Sequence, residues 1–126
     1  MTQLEELVLR SCLVSKIEGI SHLGSSLVKL ELYDNQVESI ECINNLINLR
    51  VLDLSFNSIR SMLPLCGLSE DSNNDLNNNV PIAILPNLEE LYLAQNNLRK
   101  IEGLQYLTNL RILDLGANRL LLLLML

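Results

Sequence analysis

The sequence predicts an α/β solenoid, in which short parallel strands stack into one concave sheet and short 3₁₀ or irregular segments line the convex side. Three observations lead there. A segment of fixed pattern recurs five times along the chain. Leu and Ile carry most of the apolar content, which is 48% of 126 residues with one Phe and no Trp. Within each segment two leucines alternate with residues of varied character, the period of a strand with one buried face.

The copies open at Leu4, Leu27, Leu49, Leu88 and Leu110 and read L-x-x-L-x-L-x-x-N-x-[hydrophobic]. The second copy, for instance, runs Leu27-Val28-Lys29-Leu30-Glu31-Leu32. Successive intervals are 23, 22, 39 and 22 residues. This is the leucine-rich-repeat pattern, and it predicts a right-handed solenoid. Places below are counted from the opening leucine of each unit. Leucines at places four and six point inward, and places three and five point onto an open sheet. The ninth place holds Cys12, Asn35, Asn57, Asn96 and Asn118. There the chain turns away, and a buried Asn can satisfy backbone groups of its own and neighbouring turns. Cys12 does this less well, so the first turn is expected to be weaker.

After the turn, Ile17, Ile20 and Leu23, then Ile40, Ile43 and Leu46, then Ile101, Leu104 and Leu107 recur at spacings of three. That spacing fits 3₁₀ geometry and an outer wall for the core. One unit cannot bury its apolar side alone, but stacking buries it against the next. Residues 1–126 are expected to form one domain of about five units. The long interval is a normal unit plus an insertion at about 66–83. Its centre, Ser69 to Asn79, is Asn-rich and poor in core formers, and is expected to be a disordered loop. The chain starts three residues before a unit and stops in Leu120 to Leu126, so a fragment of a longer array is expected. An exposed apolar terminus of that kind would favour self-association.

Composition narrows function. The net charge is −6, and a polyanion binder needs clustered Lys and Arg. Nucleic acid is therefore not an expected partner, nor is a membrane. The N-terminus lacks the basic and apolar regions of a signal peptide, and the terminal leucine run is too short to span a bilayer. Cys12, Cys42 and Cys66 are irregularly spaced and His22 is the lone histidine, so no metal or other cofactor is expected. The thiols are expected to be reduced and mostly packed in an intracellular protein. Few aromatics leave little for a small-molecule pocket. An enzyme is not expected: no Ser/His/Asp set or Gly-rich phosphate loop occurs, and an open sheet would leave Glu31 and Asp53 in water, without the split pKa values that acid–base work needs.

Function should instead lie on the concave columns. Place five carries Val8, Glu31, Asp53, Tyr92 and Asp114, and place seven Arg10, Tyr33, Ser55, Ala94 and Gly116. Place eight carries Ser11, Asp34, Phe56, Gln95 and Ala117. Aromatics among carboxylates on an open face are what a protein interface uses. The candidate contact residues are Glu31, Tyr33, Asp34, Asp53, Phe56, Tyr92, Gln95 and Asp114. The competing reading is a solvated face on which Lys29, Arg50 and Arg111 simply neutralise the carboxylates.

Beyond the generic pattern, Leu30-Glu31-Leu32-Tyr33-Asp34-Asn35-Gln36-Val37, Leu52-Asp53-Leu54-Ser55-Phe56-Asn57 and Lys100-Ile101-Glu102-Gly103-Leu104 stand out. With Ile17-Glu18-Gly19-Ile20 and Ile40-Glu41-Cys42-Ile43, they resemble the 22-residue repeats of the leucine-rich-repeat regulatory subunit of protein phosphatase 1, the subunit 7 type. The resemblance covers nearly all of the chain outside the insertion. It implies a non-catalytic protein of nucleus and cytoplasm that binds the phosphatase catalytic subunit through acidic and aromatic side chains of its concave face. Glu31, Tyr33, Asp53, Phe56, Tyr92 and Asp114 would make that contact. That family has about twice as many repeats, and Met62-Leu63-Pro64-Leu65 departs from its Ile-Glu-x-Leu. The alternative is another intracellular adaptor of the repeat class, of spliceosomal or axonemal type.

Overall fold

The computed structural model describes residues 3–69 and 80–120. Five three-residue strands, β1 (Glu6–Val8), β2 (Lys29–Glu31), β3 (Val51–Asp53), β4 (Glu90–Tyr92) and β5 (Ile112–Asp114), make one parallel sheet in chain order. The repeat sets the register: Leu7 pairs with Leu30, Leu30 with Leu52, Leu52 with Leu91 and Leu91 with Leu113. The long β3–β4 connection does not shift it, so the extra residues leave the stack. Parallel strands need crossovers of a dozen residues or more, and the convex segments supply them.

The strands are short because the chain turns at place eight. Ser11, Asp34, Phe56, Gln95 and Ala117 all have φ between 52° and 60°. A left-handed residue other than glycine costs roughly 1–2 kcal/mol. The compensation is local: the place-eight N–H of Asp34, Phe56 and Gln95 donates at 2.9 Å to the place-seven carbonyl of the next unit. The ladder thus continues past the strand, and the chain still bends.

The core is the inward face of the stack. Leu27, Leu30 and Leu32, Leu49, Leu52 and Leu54, and Leu88, Leu91 and Leu93 are all buried, with Val37, Ile40, Ile43, Leu46, Ile59, Met62 and Leu65 as the outer wall. The end strands differ: Leu7 is half-buried, and Leu113 is 39% exposed. Ile101, expected in the wall, is 57% exposed, whereas Ile17, Ile40 and Met62 at the same place are buried. The residue one interval of 22 after Ile101 is Leu123, outside the described residues.

Convex 3₁₀ turns occur at Ser21–Leu23 and Leu63–Cys66 among the described residues, and the other convex segments are irregular. The second turn has a cause in sequence. Gly19, Cys42 and Gly103 follow Ile-Glu and have φ of 72°, 58° and 76°. In the third unit that place is Pro64, whose ring forbids positive φ, and a 3₁₀ turn replaces the kink.

The third unit's insertion has a closed neck. Gly67 (φ 79°) caps the turn by donating to Pro64 O at 3.1 Å, and the Ile82 N–H donates to Cys66 O at 2.8 Å. Cys66 and Ile84 are buried, so the excursion starts after Cys66 and ends before Ile84. The disorder expected of Ser69 to Asn79 falls, Ser69 apart, outside the described residues, as does the apolar run after Leu120. The expectation of packed thiols holds for Cys66 but fails for Cys12 and Cys42, which are exposed. Cys12 lies in the first unit, and Cys42 sits at the outward kink where two other units use glycine.

Candidate protein-binding face

The face rests on an asparagine ladder. The Asn57 amide donates to Leu32 O of the unit before it at 2.9 Å, and to Leu54 O and Ser55 O of its own turn at 3.0 and 3.2 Å. Its Oδ1 accepts from Val37 N at 2.9 Å. Asn96 repeats the set with Leu54, Leu93 and Ala94 carbonyls and the Ile59 N–H. Asn35 and Asn118 do the same in their units. These bonds satisfy backbone groups that the turn takes out of the strand ladder. Cys12 offers only an S–H bond to Arg10 O at 3.1 Å, and Asn35 of the next unit serves Cys12 N and Val14 N at 2.9 and 3.0 Å.

Register brings the place-five residues into one column: Glu31 beside Asp53, Asp53 beside Tyr92, and Tyr92 beside Asp114. Two of the column's carboxylates also hold the backbone. Asp53 Oδ1 accepts from Ser55 N at 2.9 Å and Asp114 Oδ1 from Gly116 N at 3.0 Å. The place-seven N–H has no role in the strand ladder there, and a carboxylate two residues back serves it.

Glu31 is not in open water as its place on the sheet leads one to expect; it is 4% exposed. Arg10 Nε donates to Glu31 Oε1 at 2.5 Å, and Lys29 Nζ lies 3.6 Å from Oε2. The Arg10 hydrogen bond and the charges of Arg10 and Lys29 outweigh burial and hold the Glu31 carboxyl below the ordinary carboxylate range. Arg10 is correspondingly raised. Of the three cations expected to neutralise this face, Lys29 does so. Arg50 and Arg111 instead pair with Glu89, each at 3.5 Å, in the place-two column at the strands' other ends.

Tyr92 is half-buried, and its hydroxyl donates to Glu90 Oε1 at 2.5 Å, which raises the phenol pKa. Its hydroxyl is thereby committed, while its ring separates Asp53 from Asp114. On the rim, the rings of Tyr33 and Phe56 meet with centroids 5.0 Å apart at 50°, and both are more than a third exposed. Asp34 accepts from Ser11 Oγ at 2.7 Å, and Gln95 is exposed on the same rim. The structure therefore gathers Tyr33 with Phe56 and Asp53 with Tyr92 and Asp114. It gives Glu31 cationic partners within the chain.

Two features escape a reading of the repeat alone. Arg10 was readable as a place-seven residue, but that its side chain reaches the place-five Glu31 of the next unit is set by the stacking. A second asparagine column, Asn48, Asn87 and Asn109, stands one residue before the last three opening leucines. Each donates once to a carbonyl of the preceding unit, Ser25 O, Ile47 O and Pro86 O, at 2.7, 2.8 and 3.0 Å. The recurring Asn-Leu pair was its signal. Among the described residues no group of His, Cys, Asp and Glu could hold a metal ion, and no helix is long and apolar enough to cross a membrane.

The family described as leucine rich repeats (2 copies) matches residues 25–67 and 86–123. Over 124 residues the chain is 36% identical to a protein phosphatase 1 regulatory inhibitor subunit, the PPP1R7 homolog of Arabidopsis thaliana, covering 95% of this chain and 33% of that protein. The 187-kDa microtubule-associated protein AIR9 of the same plant is 32% identical over 106 residues, covering 84% of this chain and 5% of its own. The chain thus spans a third or less of these relatives. An internalin from Listeria monocytogenes superposes with a TM-score of 0.73 at 31% identity, over 93% of this chain and 31% of that one. A chain of the Drosophila melanogaster SNF/U2A′ complex superposes with a TM-score of 0.66 at 25% identity, over 91% and 59%.

Proposed function

We propose, from the premise that this chain belongs to the leucine-rich-repeat family, that it is a non-catalytic binding module for the protein phosphatase 1 catalytic subunit and acts in nucleus or cytoplasm. Its role as a regulatory, protein-binding chain follows from the likeness to the plant phosphatase subunit, which covers 95% of it. The observation that carries the concave face as the contact is the Tyr33–Phe56 pair. Two rings stand half in water on a polar sheet, with no core to fill. Exposed aromatics that a partner would desolvate are the commonest source of binding energy at interfaces. The carboxylates support binding over catalysis, since Asp53 and Asp114 brace the backbone and Glu31 is ion-paired.

Capture of the purified phosphatase catalytic subunit on the immobilised chain tests this. The double change Tyr33→Ala with Phe56→Ala should abolish capture while circular dichroism and thermal midpoint stay near wild type. Undiminished capture by the folded variant would reject the aromatic pair as the contact. A second reading is an adaptor for another protein, favoured by the likeness to a chain of the SNF/U2A′ complex. Failure of the wild-type chain to capture the phosphatase would turn attention there.

A further inference from the structure

The concave sheet is divided by its own cations. Over β1 and β2, Arg10 and Lys29 cancel Glu31. Over β3 to β5 no cation comes within ion-pair distance of Asp53 or Asp114 among the described residues; Arg50 and Arg111 are drawn off to Glu89. Each aspartate uses one oxygen to hold a backbone N–H, which fixes the carboxylate's direction and leaves its second oxygen for a partner. The parallel register sets them two strands apart, with Tyr92 between. At about 4.8 Å per strand that separation is roughly 10 Å.

From this we infer that the open face of β3–β5 docks a helical segment of a partner protein that presents two cationic side chains seven residues apart, with an apolar residue midway. Seven residues of helix rise about 10.5 Å, which matches the Asp53–Asp114 step, and places i and i+7 share a face. The residue at i+3 or i+4 then lies over the Tyr92 ring, whose hydroxyl is already turned to Glu90. The charge logic excludes the same segment from β1–β2, where Arg10 would repel it. This rests on the concave face being the protein contact and adds the partner's chemistry and position.

The probe is an alanine-based helical peptide with Arg at i and i+7 and Leu at i+4, labelled for fluorescence anisotropy. It should bind the wild-type chain at low salt and weaken as salt is raised, since exposed charges are screened. Asp53→Asn and Asp114→Asn keep the oxygen that braces the turn. Each should weaken binding about three- to five-fold, the effect of one exposed ion pair, and together roughly ten-fold or more. A control peptide with Arg at i and i+5, on opposite helix faces, should bind no better than the double variant. Equal binding of both peptides, or indifference to both aspartate changes, would overturn the inference. Capture of the phosphatase by the Asp53→Asn, Asp114→Asn chain at wild-type strength would overturn the site but leave the binding role. A peptide that binds as described alongside a phosphatase that is not captured would keep the site and reject that partner.

Discussion

The two asparagine columns of this molecule both recur with the repeat and are unequal in structure. Those at place nine are enclosed: Asn57 is 9% exposed and Asn96 6%, and each serves four backbone groups in two successive units. Those before the opening leucine, Asn48, Asn87 and Asn109, are exposed and donate once. The difference teaches that the repeat fixes where an amide stands, while burial fixes what it is worth. An unmet group in water finds water; inside the turn it finds nothing.

Mutating one member of each column breaks the comparison most directly. Asn57→Ala strands several buried backbone groups and should lower unfolding free energy by about 3–5 kcal/mol, read from urea denaturation. Asn48→Ala should cost under about 1 kcal/mol, because water replaces its bond. Equal losses would show that the exposed column is structural in the same sense. Between these lies the outward kink. Cys42→Gly removes a left-handed side-chain residue where Gly19 and Gly103 show what the turn accepts, and should stabilise by about 0.5–1 kcal/mol.

The smallest effect is on acid sensitivity. Glu31 has a folded-state pKa below its unfolded value, so its contribution is fully present above the unfolded pKa and is lost as pH falls through the folded one. Denaturation midpoints measured from pH 6 downward should therefore fall less in Arg10→Gln than in wild type, since that change removes the main cause of the shift. Identical slopes would mean that the ion pair is not kept in solution.

Much of this was legible in the sequence. The five opening leucines located the strands, because a unit that cannot bury its apolar side alone must stack in register with its copies. The place-nine asparagines followed from the same reasoning, as did the aromatic and acidic columns. Less legible were the ends. Ile101 obeys the wall pattern yet is exposed, which the spacing alone does not foretell. Cys42 matches the spacing of glycines, but its positive φ is a property of the turn.

By itself the sequence determined the periodicity, the strand positions and which residue types line the concave face, since all three follow from which side chains avoid water. Only the tertiary structure decided which carboxylates are free. Glu31 and Asp53 occupy the same place in successive units, and nothing in the repeat separates them. Stacking β2 beside β1 puts Glu31 within reach of the Arg10 side chain, while Arg50 and Arg111 turn to Glu89. Coulomb attraction acts over distances that only stacking sets, so the division of this face into a neutral and an acidic half exists only in the folded chain.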